Sequence, residues 1–129
     1  MIAVDTNILI RFLTQDDIKQ YKKALNLIKK YKIFIPDTVI QETEWVLRFA
    51  YKFEVDEICH AFTALFGLEN IKINNPEHIS NVIKWHKQGL DFSDAMHLSN
   101  SGKANCLYSF DKSFVKSAQK VSSCEVRLP

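Results

Sequence analysis

The chain has 129 residues, the length of one domain, and its 47% hydrophobic and 25% charged content is that of a globular protein able to bury a core without staples. A net charge of +2 singles out no partner, and three glycines are too few for a glycine-rich phosphate loop. Cys59, Cys106 and Cys124 are odd in number and scattered, which argues against a disulfide framework or a zinc site, so they read as core thiols of a reducing cytosol. The first residues lack the basic region, apolar run and cleavage site of a signal peptide, and no apolar run approaches the roughly 20 residues that span a bilayer. A cytoplasmic protein away from the membrane is expected.

Ile2 to Val4 reads as a short buried strand, followed by a helix through Leu13. Asp16 and Asp17 suit a helix start, and Ile18, Tyr21, Leu25 and Ile28 then recur at helical spacing beneath a lysine-rich outer face. "IFIP" (Ile33 to Pro36) is a second strand. A third helix runs from about Asp37 to Tyr51, with Thr38 and Gln41 at capping-box spacing and Val39, Ile40, Thr43, Val46, Leu47 and Ala50 as its inner stripe. A fourth helix spans about Val55 to Phe66, and "IKI" (Ile71 to Ile73) is a strand. Asn75 caps the next helix, with Pro76 at its first position, Ile79, Val82, Ile83 and His86 inside, and Gly89 just past its end. A helix from near Asp91 to near Gly102, the strand "CLYSF" (Cys106 to Phe110), a helix from Asp111 to about Gln119 and the strand "CEVRL" complete the chain. Strands alternating with helices imply βαβ units: an α/β protein, a three-layer α/β/α sandwich around a short, mainly parallel sheet.

Ligands of such sheets sit at the carboxyl ends of the strands, where Asp5 and Asp111 fall. Each could simply cap the helix that follows it. Asp91 and Asp94 lie three apart on one helix face, with Asp91 placed as the cap and Asp94 among apolar neighbours. His97 shares that face, where a packed core histidine is the ordinary expectation. Glu42 and Glu44 flank opposite sides of the third helix's stripe; helical geometry does not choose between them, and an exposed glutamate is the ordinary expectation for both. Taken together, acids converging at one strand edge repel by roughly 4 kcal/mol per pair at about 4 Å and an effective dielectric of 20. A hard divalent cation resolves that conflict and suits phosphoryl displacement.

Four segments in order carry a resemblance over almost the whole chain: "DTNILIRFL", "IPDTVIQETEWVL", "GLDFSDAMHLS" and "SFDKSF". The chain resembles the PIN-domain ribonucleases, and within them the VapC-type toxins of bacterial toxin–antitoxin pairs. The resemblance implies a single PIN domain over residues 1–129 that cleaves RNA with a metal-activated water, using Mg²⁺ or, as a substitute, Mn²⁺. It places the family's acidic cluster on Asp5, Glu42, Asp94 and Asp111 in one solvent-accessible pocket. Asp5 and Asp94 would be the most direct metal ligands, Asp91 an auxiliary acid, and Thr6, Asn7 and Ser109 hydrogen-bonding supports. It also implies a homodimer and a cognate antitoxin. Trp45 and Phe49, turned away from the inner stripe, are either part of such an interface or covered by the fourth helix near Phe62 and Phe66. Lys112 and Lys116 stand where they could attract a phosphate backbone, or form an ordinary solvated face. Other readings are a non-catalytic PIN module binding RNA or a partner protein, an aspartyl phosphatase, whose second aspartate would fall on Asn7, and a phosphoacceptor receiver domain with Lys112 as its lysine.

Overall fold

Seven helices and five two-residue strands alternate along residues 1–129, all of which the computed structural model describes. Met1–Asn74 and Asn75–Pro129 each form a compact unit.

In the first unit, β1 (Ile2–Ala3), β2 (Ile33–Phe34) and β3 (Ile71–Lys72) form a parallel ladder with β2 in the centre. Ile2 pairs with Ile33, and Ile33 with Ile71. Flanking bonds extend the ladder past its strands: the Val4 amide donates to the Phe34 carbonyl at 3.3 Å and the Ile35 amide to the Lys72 carbonyl at 2.9 Å. Helices α1 (Thr6–Thr14) and α2 (Ile18–Lys30) cross from β1 to β2, and α3 (Asp37–Phe49) and α4 (Val55–Phe66) from β2 to β3. Parallel neighbours require such crossovers. Phe34 on one face of the central strand is half-buried, while Ile33 and Ile35, two residues apart on the other face, are fully buried with Leu9, Ile40, Leu47, Ile58 and Phe62. Each such side chain contributes about 1.5–3 kcal/mol by leaving water.

In the second unit, α5 (Pro76–Lys87) and α6 (Phe92–Asn100) precede β4 (Leu107–Tyr108), α7 (Lys112–Val121) and β5 (Val126–Arg127). β4 and β5 are parallel, Leu107 pairing with Val126 and Tyr108 with Arg127. The α/β alternation and the parallel sense agree with the sequence reading; hydrogen bonding groups the strands as one ladder of three and one of two.

Several local expectations are corrected. Helix α3 begins at Asp37 with Pro36 as its N-cap, so Thr38 lies inside the first turn and cannot cap. The capping box belongs instead to α4, through Glu54 and Glu57. Ala50 is exposed and Val39 and Val46 are half-buried, while Glu44 takes a place in the buried stripe at 1% exposure. A buried carboxylate needs a partner, and Arg48, one turn on, supplies two N–H groups to it at 2.7 and 3.1 Å. His97 is exposed rather than packed; the buried histidine is His86. Ile18, expected inside, is 61% exposed because Ala24 and Ile28 form the buried line of α2. Of the cysteines only Cys59 is buried; Cys106 is intermediate and Cys124 exposed.

Candidate acidic site

The first unit brings together the residues of the amino-terminal motif and Glu42. Asp5 follows β1 and is the N-cap of α1, its Oδ1 accepting the Ile8 amide at 3.1 Å. Extended backbone at Asp5 (φ −95°, ψ −179°) turns the chain from strand to helix there. Thr6, the first helical residue, is buried, and its hydroxyl donates to the Glu42 carboxylate on α3. Thr6 therefore ties the helix that Asp5 opens to the helix that carries Glu42. Asp5 and Glu42 themselves remain exposed. Asn7 lines, with Asp5, a cavity of about 610 Å³ whose other polar walls are Arg11, Gln20 and Lys23.

The second unit gathers the remaining acids. Asp91, Asp94 and Asp111 line one cavity of about 440 Å³, with Ser113, Phe114 and Ser117 on its α7 side. Asp91 is the N-cap of α6 and accepts the Asp94 amide at 3.1 Å. Asp111 is the N-cap of α7 and accepts the Phe114 amide at 3.1 Å. The Asp111 amide in turn donates to the Ser109 hydroxyl at 3.0 Å, which fixes the turn leaving β4. The entry to α6 is also fastened. Gly89, at φ +111°, ends α5 in a backbone conformation that side-chain-bearing residues rarely adopt, and its amide donates to the His86 carbonyl at 3.0 Å. His86 Nδ1 donates to the Leu90 carbonyl at 2.7 Å, one residue before Asp91. Sequence reasoning gave Gly89 as a helix terminator and His86 as a core residue; their joint role in aiming Asp91 depends on a side-chain bond that spacing alone does not show.

Charge and burial converge on Asp94. Partial burial pushes its carboxyl above the ordinary carboxylate range, the charges of Asp91 and Asp111 push it further, and His97 opposes them. The protonated form is thus favoured by the fold, and a cation placed among the three acids would favour the ionised one.

The donor set is all oxygen, which suits Mg²⁺ or Mn²⁺ rather than zinc or copper. Within neither unit do three acidic, histidine or cysteine side chains converge closely enough to clasp an ion by themselves. Mg²⁺ commonly takes one or two carboxylates and keeps several waters, so the residues present fit such an ion.

Residues 2–120 match the family model of the PIN domain. No curated protein matches the sequence. Among solved structures, the chain is similar to that of VapC20 from Mycobacterium tuberculosis, a toxin that cleaves the sarcin–ricin loop, with 18% identity and a TM-score of 0.45 over 97% of this chain and 99% of that one. No helix is long and apolar enough to cross a membrane.

Proposed function

The chain belongs to the PIN-domain family, and from that premise we propose that it is a divalent-metal-dependent endoribonuclease, acting in the cytoplasm as the VapC-type toxin of a toxin–antitoxin pair. The observation that carries this reading is the cavity lined by Asp91, Asp94 and Asp111, in which burial first, and then the charges of the other two acids, raises the Asp94 carboxyl. Perturbed acids in a cleft are a mark of chemical use. Asp5, Glu42, Asp94 and Asp111 all serve the same cleavage, with Asp5 and Asp94 as metal ligands and Asp91 as an auxiliary acid. Thr6 holds Glu42, Ser109 sets the backbone at Asp111, and Asn7 stands beside Asp5. When bound, Mg²⁺ or Mn²⁺ would offset phosphate charge and make water a better nucleophile. The chain's own part is to hold ionised oxygens at fixed places, which its helix caps do. The match over residues 2–120 supports a single PIN domain spanning both compact units.

Partners follow from the same family reading. Trp45 and Phe49 on α3 are 55% and 48% exposed, their rings 5.0 Å apart, with the Arg48 guanidinium 4.5 Å from the Phe49 ring. Such a patch suits a homodimer contact or an antitoxin segment that directs a basic side chain at the acids.

The test is cleavage of mixed RNA by the purified protein. We expect products with Mg²⁺ or Mn²⁺, none with a chelator, and suppression by the antitoxin encoded beside its gene. Cleavage that survives the chelator would defeat the metal mechanism. RNA binding without cleavage would favour a non-catalytic module.

A further inference from the structure

Phe110 is 87% exposed, the most exposed of the chain's large apolar side chains. Burying a phenylalanine contributes about 1.5–3 kcal/mol, so an outward ring forgoes most of that gain. Its position is specific. It immediately precedes Asp111, about 3.8 Å away from Cα to Cα, at the bend that leads from β4 into the acidic cavity. Tyr108, two residues earlier, is 58% exposed. On the other side of Asp111, Lys112 and Lys116 are exposed and one helical turn apart, so their charges share a face of α7. An aromatic ring, an acidic cavity and a pair of ammonium groups therefore follow one another within nine residues of chain, from Tyr108 to Lys116.

That order fits one ligand chemistry. A nucleotide has a flat base, which stacks on an aromatic face, and phosphates, which are drawn to lysine. A base can stack on Phe110 only when it is free of its own neighbours, as in single-stranded RNA, a loop or a bulge. Leu128, 43% exposed and one residue past the Arg127 that pairs with Tyr108, adds aliphatic surface of the kind a protein partner would also use. The two lysines and the cavity favour the nucleic acid.

We propose that Phe110, the residue before the cavity-lining Asp111, is a stacking platform for an unpaired base of the RNA substrate. This rests on the ribonuclease reading above. Phe110 is then a positioning residue, acting on substrate register and not on the bond that breaks.

The test uses the full chain and its Phe110→Ala, Phe110→Trp and Phe110→Lys variants. Because Phe110 is 87% exposed, all three variants should fold, which circular dichroism and melting temperature check. Binding is read with Asp94→Asn as background, using a mixed-sequence single-stranded RNA containing 2-aminopurine, whose fluorescence is quenched on stacking. We expect Phe110→Ala to weaken binding by about 5- to 150-fold, the range of one base–aromatic stack, and to abolish the quench. Phe110→Trp should restore both, and Phe110→Lys should restore affinity only in part and none of the quench. In the active protein, RNA cleavage by Phe110→Ala should fall chiefly through KM. Hydrolysis of bis(p-nitrophenyl) phosphate, a phosphodiester without a base, should be unchanged. Equal RNA affinity and equal quench in wild type and Phe110→Ala would overturn the proposal while RNA cleavage by the wild type kept the ribonuclease reading. A Phe110→Ala protein that loses self-association, as read by sedimentation, and keeps RNA affinity would overturn it in favour of a protein interface. Failure of the wild type to cleave either substrate with Mg²⁺ or Mn²⁺ would defeat the ribonuclease reading and this inference with it.

Discussion

Asp16 and Asp94 both lie within a turn of a helix start, and their surroundings are opposite. Asp16 is ringed by donors. Arg11 Nη1 reaches its two oxygens at 3.0 and 2.9 Å, the Tyr51 hydroxyl donates at 2.6 Å and the Thr14 hydroxyl at 2.9 Å. The Tyr51 bond above all holds the carboxyl at about 2, and the same bond raises the Tyr51 phenol. Asp94 is ringed by acids, and its carboxyl is raised by burial, Asp91 and Asp111. The first carboxylate is satisfied by the chain and ties the α1–α2 turn to the end of α3. The second is left wanting a positive charge from outside. Satisfied acids are scaffold; acids in conflict are where a ligand can act.

The sharpest way to break this contrast is to neutralise each acid in turn. Asp94→Asn should lower RNA cleavage by at least about 100-fold, measured in single-turnover assays, because it removes a charge that the proposed reaction would use. Its melting temperature should be equal or slightly higher, since the substitution relieves repulsion. A variant that cleaves as fast as the wild type would show that Asp94 is not part of the site.

The pH dependence should run in opposite directions. A raised carboxyl favours the folded state below its ordinary range, and that contribution is lost as pH rises through the raised value, so Asp94 weighs against stability at neutral pH. A lowered carboxyl contributes above its ordinary value of 3.8 and loses the contribution as pH falls toward about 2, so Asp16 supports the fold at neutral pH. Acid denaturation should therefore show a step between about 4 and 2 that Asp16→Asn removes. The cleavage rate should rise with pH to a point above the ordinary carboxylate range, with Asp94 in a coupled set.

Asp16→Asn itself should lower the melting temperature by a few degrees at most, because the network is largely solvent-exposed and screened, while cleavage stays at the wild-type rate. The smallest effect is expected of Tyr51→Phe. It should move the Asp16 carboxyl up toward its ordinary value, visible in a carboxyl-resolved NMR titration, with no change in cleavage. A loss of activity in either variant would erase the distinction between the two regions.

What could be read in the sequence divides along a similar line. Short apolar runs between helical segments located all five strands, and Asn75, Asp91 and Asp111 are the N-caps that their positions suggested. These depend on neighbours within a few residues. The Asp16–Tyr51 bond joins residues 35 apart, and the Thr6–Glu42 bond residues 36 apart; spacing carries no signal of either. Glu44 was misread for a different reason. An acid on a helix stripe is ordinarily exposed, and the two-pronged bond from Arg48 helps to make its burial tolerable. Among the candidate site residues, Asp91, Asp94 and Asp111 were legible as acids at helix starts, whereas the raised Asp94 carboxyl depends on which charges the fold sets around it.

Asp5, Asp91 and Asp111 each commit one carboxylate oxygen to a backbone amide three residues on, so the atoms proposed for chemistry also start three helices. Heritable loss of activity would then be channelled. Alanine at any of the three would remove the charge and loosen a helix, at about 0.5–2 kcal/mol. Asparagine would remove the charge and keep the cap. Silenced descendants of this chain should therefore carry asparagine at these positions more often than any small apolar residue, and such copies should persist as folded proteins. Those descendants would still present the surfaces a partner recognises, and so could draw that partner away from active copies.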